Sequence, residues 1–254
     1  MLCLFTFTGL KAEIPPERYA AEFQTHYTGS HPDLFAQQQD RVRLLIRQAQ
    51  LEVSSQLGLF QYREGFRCPL RVRFDDTPEP GVEHALAYVR MGQTDQGFVQ
   101  ELVVNLDVMA TSGRDFDIIF FHEMTHAVLN DAVVSVSHQM LPSWVQEGLA
   151  VYISGDGNAR VRTAAQRYKK SQVKVLVKDL EEPILDYPRN YLAFKYMLDK
   201  QSINTLQAFV RNLTQGKTPV EAIEDSTGLT WDDYRKQVQT YSLAVYQDQA
   251  RPDY

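Results

Sequence analysis

The strongest constraint on this chain is a contradiction within one short segment. Residues 115–130 carry Phe116, Ile118, Ile119, Phe120, Phe121, Met124, Ala127, Val128 and Leu129. A helix built from them is apolar on nearly every face and belongs inside a protein. Yet its middle reads His122-Glu123-Met124-Thr125-His126, and polar side chains are costly to bury without a shared partner. The two imidazoles, four residues apart, project from one helical face one turn apart, so both reach a single ion. Glu123 is rotated off that face, where it reaches a water without ligating the ion, the place of a general base. The competing structural reading makes all three core polar residues paired to backbone, or members of a wet face.

A catalytic zinc takes three protein ligands and leaves a fourth position open, so a third ligand is required. The segment Leu141-Pro142-Ser143-Trp144-Val145-Gln146-Glu147-Gly148-Leu149-Ala150 supplies a candidate. Proline opens a helix well, and on that helix Glu147 shares a face with Trp144, Gly148 and Val151. A carboxylate on an apolar face calls for a partner or a metal. The alternative is a solvent-facing Glu favoured by the helix dipole near a helix start. Gly148 is expected to let this helix pack closely against the helix that carries the histidines.

The remaining pattern reads as sheet first and helices after. Residues 19–27 alternate, with Ala21, Phe23, Thr25 and Tyr27 on one side, before a turn at 28–32. Residues 34–57 place Val42, Leu45, Ile46, Ala49, Val53 and Leu57 on one helical stripe, and Gly58 supplies the stop. Strand-like runs follow at 70–74, 85–89 and 102–106. Helices are expected at 142–153, 163–173, 190–199, 203–213, 219–226 and 231–246. This order gives an α+β protein, a single domain with a sheet-rich part at 1–110 and a helical part at 111–254.

Composition narrows the function classes. Hydrophobic residues at 44% and charged residues at 23% are ordinary for a globular chain. The net charge of −6 argues against a nucleic-acid partner, since phosphate binding needs concentrated basic charge. Cys3 and Cys68 alone make neither a disulfide scaffold nor a thiolate cage, and Cys68 reads as a small apolar core residue. No apolar run reaches the roughly 20 residues of a membrane span. Residues 2–10 are apolar but short and lack a basic start, so they read as a strand rather than a signal peptide; export through a signal peptide missing from this start stays compatible with the sequence.

The spacing of His122 to His126 and, after 20 intervening residues, Trp144-x-x-Glu147-Gly148-Leu149-Ala150 resembles the gluzincin metallopeptidases, especially the peptidase MA-like group. The resemblance covers roughly residues 22–241. Residues 23–29 look like the family's opening strand, and Asn190-Tyr191-Leu192-Ala193 like the start of a later helix. Residues 206–216, 220–222 and 228–230 look like its helical tail. It implies a zincin-like fold in which a small twisted mixed sheet, backed by the long helix, precedes a buried active-site helix and a helical C-terminal half, with the edge strand pairing with an extended substrate. It further implies one Zn2+ per chain held by His122, His126 and Glu147, hydrolysis of a peptide or protein substrate, and Tyr191, rather than Tyr187, donating its hydroxyl to the tetrahedral oxyanion. Tyr191 as an aromatic packing residue is the alternative, and His138 is a further candidate for the donor. The chain departs from the family at Val151, where many gluzincins carry an acidic residue that hydrogen-bonds a ligand His. Asp131 or a backbone carbonyl is left to take that part.

The stretch Arg160, Arg162, Arg167, Lys169, Lys170, Lys174 and Lys178 reads as a solvated helix face, or as a surface that steers acidic peptides. The rival to the enzyme reading is a catalytically inactive zincin-fold scaffold or interaction protein that still binds zinc.

Overall fold

In the computed structural model, which describes residues 20–60, 65–76, 80–95, 97–134, 140–182 and 184–253, the alternation of Leu70, Val72 and Phe74 with Arg71 and Arg73 becomes a strand with one buried face, β2 (Leu70–Asp75). The apolar run Leu102-Val103-Val104 forms the end of β4 (Gly97–Asn105), all three residues buried. β3 (Ala87–Thr94) and β1 (Glu22–Phe23) complete a four-stranded mixed sheet in the order β1-β2-β4-β3. β1 and β2 pair in parallel, as do β2 and β4, while β3 runs antiparallel to β4 and leaves its outer edge unpaired among the described strands. β3 reaches five residues beyond its expected end at Val89, because the hairpin register from Ala87 opposite Val104 to Thr94 opposite Gly97 holds a polar segment that hydrophobic pattern alone does not mark. Residues 1–19 lie outside the described structure, so the strand expected at 2–10 is not assessed, and of 19–27 only Glu22–Phe23 is strand.

The long helix α1 (Pro32–Gln56) buries Val42, Leu45, Ile46, Ala49 and Val53, the expected stripe. It lies along α3 (Phe116–Leu129), and Phe35 meets Phe74 of the sheet edge to face at 5.2 Å. Between β4 and α3 a short helix α2 (Leu106–Thr111) begins where the Asn105 side chain accepts the Val108 N–H at 3.1 Å, a cap that ends the strand one residue before Leu106. Asp115 caps α3 in the same way through the Asp117 N–H. After Leu129 the chain widens into a buried π turn, Asn130–Val134, in which Asp131 accepts the N–H groups of Arg67 at 2.9 Å and Cys68 at 2.6 Å.

The helical C-terminal half comprises α4 (Ser143–Ile153), α5 (Gly157–Ala165), a 3-10 turn at Lys170–Leu176, α6 (Tyr187–Lys200), α7 (Ile203–Thr214), α8 (Pro219–Thr227) and α9 (Trp231–Gln249). The single helix expected at 163–173 is absent. Gly155, at φ 77°, turns the chain into an earlier helix start at Gly157. Past Ala165 the Tyr168 carbonyl accepts from Arg251 N–H at 3.2 Å, and Lys170 N–H donates to the Arg251 carbonyl at 3.1 Å. The C-terminal segment therefore takes backbone groups that a continuous helix needs. Gly148 also differs from expectation. Its close neighbour is α6, not α3: a Cβ there would lie 2.4 Å from the Asn190 carbonyl oxygen and 2.6 Å from the Phe194 ring. Trp144, one turn earlier on α4, stacks on Phe194 at 5.7 Å and on Trp231 at 5.5 Å, which ties α4 to α6 and α9. No helix among the described residues is long and apolar enough to cross a membrane.

Candidate active site

α3 and α4 meet at three side chains. His122 and His126 stack one turn apart with ring centroids 4.9 Å apart, nearly perpendicular, and their Nε2 atoms lie 3.2 Å from each other. Glu147 enters from α4 with Oε2 3.2 Å from His122 Nε2 and Oε1 3.7 Å from His126 Nε2. The imidazoles are only 12% exposed and the carboxylate 21%. Glu147 comes this close because Gly148 lets α6 pack against its backbone and Trp144 anchors the turn before it.

Two imidazole nitrogens and one carboxylate oxygen are the ligand types zinc accepts. Atoms about 2.0–2.1 Å from a tetrahedral ion stand about 3.3 Å apart, close to the spacings here. The donor set therefore fits a metal ion. Burial first, with the neighbouring His122 imidazole adding to it, pulls the His126 pKa down to about 4, so its ring is neutral, the form that coordinates. Burial pushes the Glu147 carboxyl up, but the His122 hydrogen bond and the two neighbouring imidazoles outweigh it and hold the group below the usual carboxylate range. One feature departs from a complete shell: His126 Nδ1 is buried with no hydrogen-bond partner among the described residues. Val151 is fully buried in a cluster with Tyr191 and Leu192. Asp131, the other candidate for orienting a ligand His, is engaged instead by the Arg67 and Cys68 amides.

Glu123 sits on the β3 side of the pair. Its Oε2 accepts the Val89 N–H at 3.0 Å, so the edge strand fixes the carboxylate, and the residue offers an oxygen within 4.8 Å of both imidazoles. Burial raises its pKa to about 7, with the Glu147 charge adding to the rise and His122 opposing it. His122 and Glu123 line a cleft of about 820 Å³ walled by the entry to β3, the start of α3, α5 and the start of α6.

The two tyrosines on α6 are separated clearly. Tyr191 is 6% exposed, its ring lies against the Gly157 backbone, and its hydroxyl donates to Asn158 Oδ1 at 3.0 Å, away from the cleft. Tyr187 lines the cleft, with its ring 6.1 Å from that of His122 and the Arg160 guanidinium 4.6 Å above it. Burial, followed by the Glu147 charge, raises the Tyr187 pKa, so its hydroxyl keeps its proton and can donate. The two residues are one turn apart on one helix face, which is why periodicity does not choose between them. A signal for Tyr187 was present in Asp186-Tyr187-Pro188: Asp186 caps the helix through the Arg189 N–H at 3.0 Å, so the helix starts at Tyr187 rather than Asn190. The buried Arg189 then fixes the preceding loop by donating to the carbonyls of Asp179 at 2.8 Å, Glu182 at 3.0 Å and Ile184 at 2.7 Å. His138 lies outside the described residues.

A model of the peptidase MA superfamily matches residues 105–244, just over half of the chain and the span from the end of β4 through most of α9. No curated protein and no solved structure matches the chain significantly.

Proposed function

Because the chain belongs to the peptidase MA superfamily, we propose that it is a zinc-dependent metallopeptidase of zincin-like fold, one catalytic unit in which His122, His126 and Glu147 hold the ion. The observation that carries this reading is the convergence of the two Nε2 atoms and the Glu147 carboxylate to within 3.2–3.7 Å across two helices. When bound, zinc supplies a Lewis acid that polarises the scissile carbonyl and lowers the pKa of water to about 7.

The chain's own groups do the rest. Glu123, anchored by the Val89 N–H, takes the proton from the attacking water on a carboxylate oxygen as the C–O bond forms, and returns it to the leaving amine nitrogen as the C–N bond breaks. Tyr187 donates its hydroxyl to the oxyanion. Arg160 above its ring and Arg189 behind its loop hold it in place. Tyr191 is a packing residue that joins α6 to α5. The orphaned His126 Nδ1 and Val151 favour a second reading, a zincin-fold protein that binds zinc and a partner without cleaving it; an intact Glu123 in the cleft is the group such a protein has no use for.

The test is a peptide-library assay on the zinc-loaded chain. Cleavage that a chelator abolishes and added zinc restores supports the enzyme; no cleavage with zinc bound supports the scaffold. In the same assay Tyr187→Phe is expected to lower kcat by roughly a hundredfold with KM nearly unchanged, because the lost donor acts only in the transition state. Tyr191→Phe is expected to turn over at close to the wild-type rate. The opposite ranking removes Tyr187 from the mechanism.

A further inference from the structure

The basic stretch that begins at Arg160 is not one solvated face. Residues 160, 163, 164 and 167 follow helical spacing along α5 and the turn after it, and all four line the cleft that contains His122 and Glu123. Arg162 is exposed and outside that lining. The approach to α3 contributes Arg114 to the same lining. Guanidinium groups from two separate segments thus line the cleft in a chain whose net charge is −6.

Their local partners differ. Arg160 is paired with Asp156 and lies over Tyr187. Arg114 reaches only the His84 carbonyl at 3.4 Å, and neither Arg114 nor Arg167 has a carboxylate partner among the described residues. Of the acidic groups lining the cleft, Asp156 is paired with Arg160, Asp115 keeps its charge at the N-terminus of α3, where it accepts the Asp117 N–H at 3.0 Å, and Glu123 accepts the Val89 N–H at 3.0 Å; none pairs with Arg114 or Arg167. Both guanidiniums are exposed and without a carboxylate partner among the described residues. A planar fork with five donors is suited to a carboxylate.

We propose that the cleft selects peptides carrying acidic side chains near the scissile bond, with Arg114 and Arg167 in its lining as the specificity-determining residues. This rests on the peptidase reading above. Two exposed guanidinium groups without carboxylate partners attract an anionic segment that reaches them and disfavour a basic one, and such steering changes association by roughly tenfold or more at low salt. Added salt should erode the preference, since both groups are exposed.

The experiment uses three fluorogenic peptides of one length and one scissile pair, flanked by Glu, Gln or Lys, with the zinc-loaded wild type and the double variant Arg114→Glu/Arg167→Glu. In the wild type, kcat/KM is expected to favour the Glu-flanked peptide over the Lys-flanked one by roughly tenfold or more, and in the variant the ratio inverts. The neutral double variant Arg114→Gln/Arg167→Gln should flatten the ratio, and because the readout is a ratio, a partly misfolded variant does not mimic the result. A ratio unchanged by both variants overturns the proposal. If the wild type cleaves none of the peptides, the peptidase reading fails. Fluorescence anisotropy with the zinc-loaded Glu123→Gln chain then decides the charge selection separately. Tighter binding of the Glu-flanked peptide that disappears on charge reversal supports it; equal binding of all three peptides, or binding of anionic vesicles but of no peptide, overturns it.

Discussion

Glu123→Gln is expected to keep its zinc and lose peptide hydrolysis by about two to four orders of magnitude. The amide has the shape of the carboxylate, and its oxygen can still accept the Val89 N–H that now stands at 3.0 Å from Oε2. It cannot take a proton from water. The wild-type carboxyl is desolvated enough that its pKa rises to about 7, so replacing it with a neutral group removes a burial cost rather than adding one. The variant should therefore unfold at or above the wild-type temperature, which separates lost chemistry from lost structure. Single-turnover kinetics on a library-selected peptide, run beside elemental zinc analysis, check both halves. Wild-type turnover in the variant would mean that another group moves the proton.

The largest expected effect on stability falls one residue beyond a proposed ligand. In an exposed helix, exchanging Gly for Ala gains up to about 1 kcal/mol. At Gly148 the sign should reverse, because the new Cβ would lie 2.4 Å from the Asn190 carbonyl oxygen and 2.6 Å from the Phe194 ring. The first obstacle is backbone, and the second is a ring held between Trp144 and Phe209 at 5.7 Å from each. Neither can yield without moving α4 away from α6. Overpacking of this kind costs about 1–3 kcal/mol, and a net loss near the upper end is expected here, equivalent to a fall in Tm of roughly 5–10 °C for a chain of this size. Zinc affinity should weaken with it, since Glu147 is the adjacent residue. Thermal unfolding of Gly148→Ala with and without zinc measures both, and an unchanged or higher Tm would show that the α4–α6 contact is looser than described.

The contrast between these two positions shows how far local pattern reaches. The meeting of His122, His126 and Glu147 was legible because each is a polar group among mostly apolar helix residues, and helical spacing alone brings the two histidines together. Gly148 signals close approach, but a missing side chain does not say which neighbour arrives, and the neighbour is α6 rather than α3. Tyr187 and Tyr191 share a helix face, so their separation depended on where the helix begins and on Gly157 and Asn158 in a different element accepting the second tyrosine. The break between Ala165 and Lys170 depends on Arg251, more than eighty residues later in the chain. The place of Arg114 follows the same rule, because nothing near it in sequence places it in one cleft lining with Arg167. Features governed by one helix were legible; those set by contacts between distant segments were not.

The orphaned Nδ1 of His126 bears directly on metal binding. An imidazole that coordinates through Nε2 keeps its proton on Nδ1, and an acceptor for that proton usually orients the ring and strengthens the site. With Val151 buried and Asp131 bound to two amides, the described structure supplies no such acceptor. The convergence of His122, His126 and Glu147, the proposed zinc ligands, remains. Its most direct test is elemental analysis of the wild type and of His126→Ala, both stripped of metal and then exposed to limiting zinc. About one zinc per wild-type chain is expected, with most of it lost in His126→Ala; full zinc occupancy in that variant would rule out His126 as a ligand.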